Sequence, residues 1–245
     1  MKLKSYSSRT HQGPYLQINE DDVDVDLRNQ LYLIFDGFGG SSIGDKAVQL
    51  LKETIKNFYT RIGGDPDSTL PFYYSHKYLL EGNALLNSMH YAHALLKKQS
   101  KGLEMSQRGG ASAICVAQSE NILSFASVGN CRAFLYRKGH LKQIVEADSL
   151  ESLSPDEYLS HFYTSPVSGF GLFEDIHIAL KEMRVYEEDL IVLMTDGVYA
   201  RVDLDEIKYT IEKTDKSSSE KINELFKLSN SRGNLDNQSM LLLQY

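Results

Sequence analysis

GGASAICVAQSENILSFASVGNCRAFLYRKGHLKQIV, residues 109–145, carries four short apolar segments at 113–118, 122–128, 132–137 and 141–145. The turn pairs Glu120-Asn121, Gly129-Asn130 and Lys138-Gly139 stand between them, so the spacing predicts hairpins in an antiparallel meander. Upstream, residues 29–35 read as a buried strand that runs into the glycine-rich stretch Asp36-Gly37-Phe38-Gly39-Gly40. Residues 42–59 place Ile43, Ala47, Leu50, Leu51, Ile55 and Phe58 on a 3.6-residue stripe, which predicts a helix stopped by Gly63, Gly64 and Pro66. A second helix is expected from Tyr74 to about Lys101, with Leu79, Leu86, Met89, His93 and Leu96 along one side and Gly102 at its end. Downstream of an irregular segment, 146–171, the pattern predicts strands at 176–183 and 189–195, helices at 205–212 and 219–228, and a closing strand at 238–244. Residues 214–220 are the best loop candidate. Long helices between hairpin strands, without alternating βαβ units, indicate α+β: antiparallel sheet with helices packed outside.

Composition bounds the function. With 245 residues and no internal repeat or Gly/Ser/Pro-rich linker, the chain is expected to form a single domain over residues 1–245. Its 33 acidic residues against 26 Lys and Arg give a net charge of −7, which argues against nucleic-acid binding and suits cations or basic partners. The longest apolar runs, at 31–35 and 190–194, are far short of the roughly 20 residues a membrane-spanning helix needs. No apolar stretch follows Met1–Lys4, so a cytoplasmic location is expected. Cys115 and Cys131 lie inside apolar strand segments and read as two buried thiols.

Three acids stand out by position. Asp36 follows Leu-Ile-Phe, Asp196 follows the apolar run that ends at Thr195, and Asp236 stands just before the last strand. Carboxylates in such surroundings repel one another and shift their pKa values unless a cation neutralises them, so a divalent metal cluster is the economical explanation. Oxygen ligands without Cys or His favour Mg²⁺ or Mn²⁺ over Zn²⁺. The glycines after Asp36 and Asp196 leave room for close approach of a ligand.

The ordered set Asn19-Glu20-Asp21, Asp36-Gly37-Phe38-Gly39-Gly40, Gly109-Gly110-Ala111-Ser112, Val128-Gly129-Asn130-Cys131-Arg132-Ala133-Phe134-Leu135, Thr195-Asp196-Gly197-Val198 and Asp236-Asn237-Gln238-Ser239 resembles the metal-dependent serine/threonine protein phosphatases of type 2C, the smaller bacterial members most of all. It runs from about Asn19 to Tyr245 and keeps motif order as well as content. The resemblance implies a four-layer αββα sandwich, two antiparallel sheets face to face with helices outside. It implies hydrolysis of phosphoserine and phosphothreonine on phosphorylated protein substrates, with two Mn²⁺ or Mg²⁺ ions. Asp36 would bridge the two metals and serve catalysis together with Asp21. Asp196 and Asp236 would complete one metal site and the Gly37 carbonyl the other, while Glu20 and Asp21 would bind the second metal directly or hold its waters. Two such ions about 3.5–4 Å apart lower the pKa of a shared water for in-line attack on phosphorus. Asn237 would fix a carboxylate or a metal-held water.

Departures from the family pattern define the alternatives. The arginine that binds substrate phosphate in the family is replaced by Leu16, and Arg9 could reach the site from elsewhere. Phe38 stands where many eukaryotic members carry histidine. Asn130 replaces an aspartate that helps hold a third metal, so no third site is assigned. In the region that carries a flap in the family, Ala147-Asp148-Ser149 replaces Asp-His-Ser. Leu16 and Asn130 motivate a second reading, a phosphatase-fold module that turns over weakly or not at all and acts in binding or regulation. Hydrolysis of a non-protein phosphoester is a third. Asp22-Val-Asp-Val-Asp26 opens like a calcium loop but has Leu27 and Leu33 where glycine and glutamate are required. His90 and His93 share a helix face without a carboxylate partner and read as packing residues.

Overall fold

Strand β3 (Leu31–Phe38) shows how the layers arise. Its alternate residues face opposite ways, and both directions are apolar: Leu31, Leu33 and Phe35 pack in one core, Tyr32 and Ile34 in another. A strand buried on both faces reads as an uninterrupted apolar run, which explains residues 31–35. The computed structural model describes residues 2–39, 43–64, 69–104, 107–150 and 164–245.

β3 lies in a five-stranded sheet of order β2-β3-β4-β5-β8, formed with β2 (Asp22–Asp26), β4 (Gly110–Ser119), β5 (Ile122–Val128) and β8 (Ala179–Arg184). The second sheet has the order β1-β10-β9-β6-β7, from β1 (Ser5–His11), β6 (Arg132–Arg137), β7 (His140–Val145), β9 (Leu190–Met194) and β10 (Gln238–Gln244). All pairings are antiparallel. Tyr32, Ile114, Phe125, Ile191, Leu241 and Tyr245 fill the space between the sheets. Helices α1 (Ile43–Gly64) and α2 (Leu80–Gln99) cover the outer face of the first sheet through Leu51, Ile55, Leu85 and Met89. The outer face of the second meets α3 (Asp196–Tyr199), α4 (Leu204–Glu212) and α5 (Ser218–Ser231) through Val192, Met194, Ile207, Ile222 and Leu225. The fold is the expected α+β sandwich in four layers.

The structure corrects several local expectations. Residues 113–145 are two hairpins in different sheets, not one meander: β4–β5 belongs to the first sheet and β6–β7 to the second. The chain changes layer at Gly129, whose φ of +83° suits glycine and whose missing side chain leaves room for Ser112. Two strands escaped the pattern. β1 is polar because it is an edge strand with exposed positions, and β2 is half-buried at the edge of the first sheet rather than a calcium loop. Helix α1 continues through the glycines to Gly64, past the expected end at 59. Its expected start at Ser42, like Gly40 and Pro66, lies outside the described residues.

Helix α2 starts at Leu80, six residues later than expected. Asn83 and Asn87, both fully buried, take over the backbone groups of the preceding segment. The Asn83 side chain accepts from Ser75 N–H (2.8 Å) and donates to Ser75 O, Tyr78 O and Leu79 O, while Asn87 accepts from Phe72 N–H and donates to Tyr73 O. A backbone satisfied by side chains needs no helix. A capping box, Ser217 with Glu220, opens α5 within the stretch expected as loop. Cys115 and Cys131 are free and buried, as expected. On α2, His93 accepts from Gly171 N–H at Nδ1 (3.4 Å) and donates from Nε2 to Glu174 O (3.2 Å), fastening residues 171–174 to the helix.

Candidate active site

The two sheets bring four aspartates to one end of the sandwich. Asp36 sits near the end of β3, opposite Ser112 of β4. Asp21 precedes β2, whose first residue Asp22 pairs with Phe35 beside Asp36. From the other sheet, Asp196 follows β9 as the first residue of α3 and Asp236 precedes β10 by two residues. β9 and β10 are neighbours, so these two acids emerge side by side. Thr195 crosses between the sheets: its hydroxyl donates to Asp21 Oδ2 at 2.9 Å and accepts from Ser239 N–H at 2.9 Å.

All four carboxyls are held above their ordinary range. Burial, followed by repulsion from Asp196, Asp21 and Asp236, holds the Asp36 carboxyl well above the usual carboxylate range. Asp21 is likewise pushed well up, first by burial and then by Asp236, with the Thr195 hydrogen bond opposing. Burial and Asp236 raise Asp196 to about 6, and burial raises Asp236 itself, although its residue stands at the exposed rim. Asn130 Nδ2 donates to Asp196 Oδ2 (3.0 Å) and to Thr164 O (3.0 Å), and Tyr199 OH donates to Asn130 O (2.5 Å). The Arg132 guanidinium lies 3.9 Å from the centre of the Tyr199 ring.

Glu20 also meets α1. Its Oε1 accepts from Gly44 N–H (3.1 Å) in the first turn of α1, a favourable place for an anion. Adjacent in sequence, Glu20 and Asp21 therefore serve different neighbours. The Asn237 side chain holds backbone, while its own N–H donates to Asp236 Oδ1 (2.8 Å). The Asn237 Oδ1 accepts from Glu20 N–H (2.8 Å), and its Nδ2 donates to Gln12 O (2.9 Å) and Ile18 O (3.1 Å). This clamps the loop 12–20 to the start of β10 and leaves Leu16 exposed on it. The glycines after the aspartates are also required by the chain itself. A side chain at Gly37 would overlap Glu20 O, and one at Gly197 would overlap Asn237 O, so the chain itself makes the close approach. Gly13 is equally constrained: φ is +79° and a Cβ would collide with Asp236 O.

Arg9 reaches Asn223 and lies 5.9 Å from the Phe226 ring centre, on the α5 side. Sequence reasoning missed Thr195 and Tyr199 as partners of the cluster; their only signal was proximity to Asp196 in the chain. Residues 151–163 of the expected flap region lie outside the described residues.

The donor set fits hard divalent cations. Asp36 Oδ2 is buried without a hydrogen-bond partner among four mutually repelling carboxylates, and a cation supplies the missing counter-charge. Among the described residues no three Asp, Glu, His or Cys side chains are already gathered round one point as a bound ion requires. The aspartates are collected on rigid elements, and the ions would draw them together.

The family model described as Protein phosphatase 2C matches residues 4–153. Stp1, a serine/threonine phosphatase from Staphylococcus aureus, superposes with a TM-score of 0.82 at 20% identity, covering 100% of this chain and 96% of its own. The Mycobacterium tuberculosis serine/threonine phosphatase PstP/Ppp gives 0.80 at 19% identity, with 98% and 97% covered. The catalytic domain of PstP, in complex with two manganese ions, gives 0.77 at 19% identity, again with 98% and 97% covered. No curated protein sequence matches the chain.

Proposed function

The chain belongs to the protein phosphatase 2C family, and on that premise we propose that its four-aspartate cleft hydrolyses phosphoserine and phosphothreonine on protein substrates. One observation carries the assignment of the site: Asp36 Oδ2 is buried and unpartnered where both sheets deliver carboxylates. Asp36, Asp196 and Asp236, with the Gly37 carbonyl, would hold the metal, two ions of Mn²⁺ or Mg²⁺ in this reading. The two manganese ions of the PstP catalytic domain support that count. Bound divalent ions supply an activated water and neutralise charge on the phosphoryl oxygens.

The chain's own groups orient that chemistry. Asp36 presents its unpartnered oxygen from near the end of β3. Thr195 donates to Asp21, and Asn130 fixes Oδ2 of Asp196. Glu20 acts through position, tying the loop before β2 to the start of α1. With Leu16 in place of an arginine, phosphate recognition falls on the metal ions and on groups outside that loop.

The proposal extends to one working domain over residues 1–245 and to a cytoplasmic location. Among the described residues no helix is long and apolar enough to cross a membrane. The test is hydrolysis of p-nitrophenyl phosphate and a phosphothreonine peptide with Mn²⁺, with Mg²⁺ and with EDTA, alongside Asp36→Asn. Metal-dependent turnover lost in the variant is the expected result. Metal binding without turnover would favour the regulatory-module reading.

A further inference from the structure

Beside the aspartate cluster, β1 and α5 enclose a second cleft of about 350 Å³, lined by Arg9, His11, Asn223, Lys227, Asn230 and Gln238 among others. In a chain of net charge −7 its charged lining is entirely basic. Neither Arg9 nor Lys227 forms an ion pair with a described residue, and both are exposed. Because His11 Nδ1 accepts from Gly13 N–H (3.0 Å), the ring proton sits on Nε2, giving another donor.

The inner wall is different. Gln238 is fully buried, and its Nε2 donates to Gly197 O (3.2 Å) and Phe226 O (3.3 Å). Its Oε1 is buried without a partner. Basic donors at the mouth match a peptide segment bearing a carboxylate side chain.

The cleft is placed to serve the active site. His11 pairs with Gln238 in the β1–β10 register, and Gln238 follows Asp236 by two residues, a span of at most about 7 Å. Asn230 on its wall leads through Asn234 to Asp236, since Asn234 Nδ2 donates to Asp236 O (2.8 Å). Gln238 also touches Gly197, the neighbour of Asp196. An extended peptide covers that distance in about two residues.

We infer that this cleft is a substrate-docking site that selects phosphopeptides carrying Asp or Glu two to three residues from the phosphorylated position. The inference rests on the phosphatase reading above. Arg9 and Lys227 take the carboxylate.

The test compares two phosphothreonine peptides, one with Asp two and three residues to either side and one with Ala there, on the parent protein, Arg9→Ala, Lys227→Ala and Lys227→Glu. The ratio of kcat/KM, acidic over neutral, should be about tenfold in the parent, as charge-assisted hydrogen bonds allow. It should fall toward one in the alanine variants, invert in Lys227→Glu, and shrink at high salt. A ratio rather than a rate is read because misfolding lowers both peptides alike. Fluorescence anisotropy of the same labelled peptides in EDTA reads docking without turnover, so failure of the phosphatase reading is separable. Equal handling of both peptides by the parent, or a preference untouched by all three substitutions, overturns the inference.

Discussion

In EDTA at pH 7.5, Asp36→Asn is expected to melt above the parent protein while losing metal-dependent turnover. A carboxyl whose pKa is raised on folding keeps its proton in the native state where the unfolded chain has released it. Its stabilising contribution is complete below the unfolded value and is lost as pH rises through the folded one. For Asp196 that window runs from 3.8 to about 6, and two pKa units correspond to about 3 kcal/mol. Asp36 is buried in the same cluster, is raised well above the usual carboxylate range and faces three repelling neighbours. Removing its charge while keeping its shape should therefore stabilise the metal-free protein at neutral pH. In a chain of this size each kcal/mol returned raises Tm by roughly 2–4 °C. Thermal and urea melts at pH 7.5 and pH 5.0, with EDTA and with Mn²⁺, provide the assay. At pH 5.0 the advantage should contract because proton uptake by the parent's raised carboxyls relieves their repulsion, and Mn²⁺ should restore the parent above the variant. Destabilisation of the metal-free variant at pH 7.5, or a gain undiminished at pH 5.0, would refute the reasoning.

Asp196→Asn and Asp236→Asn should each cut metal-dependent turnover roughly a hundredfold or more, with an unchanged near-ultraviolet circular dichroism spectrum showing that the fold persists. Leu16→Arg should lower the phosphopeptide KM about tenfold, the scale of a charged hydrogen bond; steady-state kinetics showing no gain would mean that another group already holds the phosphate. Gly13→Ala forces a Cβ into the Asp236 carbonyl at a φ of +79°, and Mn²⁺ titration by calorimetry should show affinity reduced at least about tenfold. Asn83→Ala strips four backbone partners ahead of α2, and the urea midpoint should report a loss of roughly 2–4 kcal/mol.

Much of the architecture was legible because it is local. Residues 122–128, 132–137 and 238–244 are strands with the expected bounds, since alternation and turn pairs act over a few residues. The polar edge strand β1 was not legible: a strand covered on one side only has little apolar signature to offer. The expected helix begins too early because Leu79 continues its stripe, whereas buried Asn83 and Asn87 capture the backbone there. The aspartates were visible as acids at the ends of apolar runs, a placement that costs free energy and so demands a purpose.

The order of motifs and the two-faced apolar strands were thus determined by the sequence itself, through short-range preferences and the exclusion of charge from apolar surroundings. Tertiary structure decided which of those residues meet. The change of sheet at Gly129, the Thr195 bridge to Asp21, the contact of Glu20 with α1 and the basic cleft behind Asp236 all join positions far apart in the chain. No local propensity encodes such meetings; they follow from packing two sheets face to face, which carries β3 and β9 to the same end of one core.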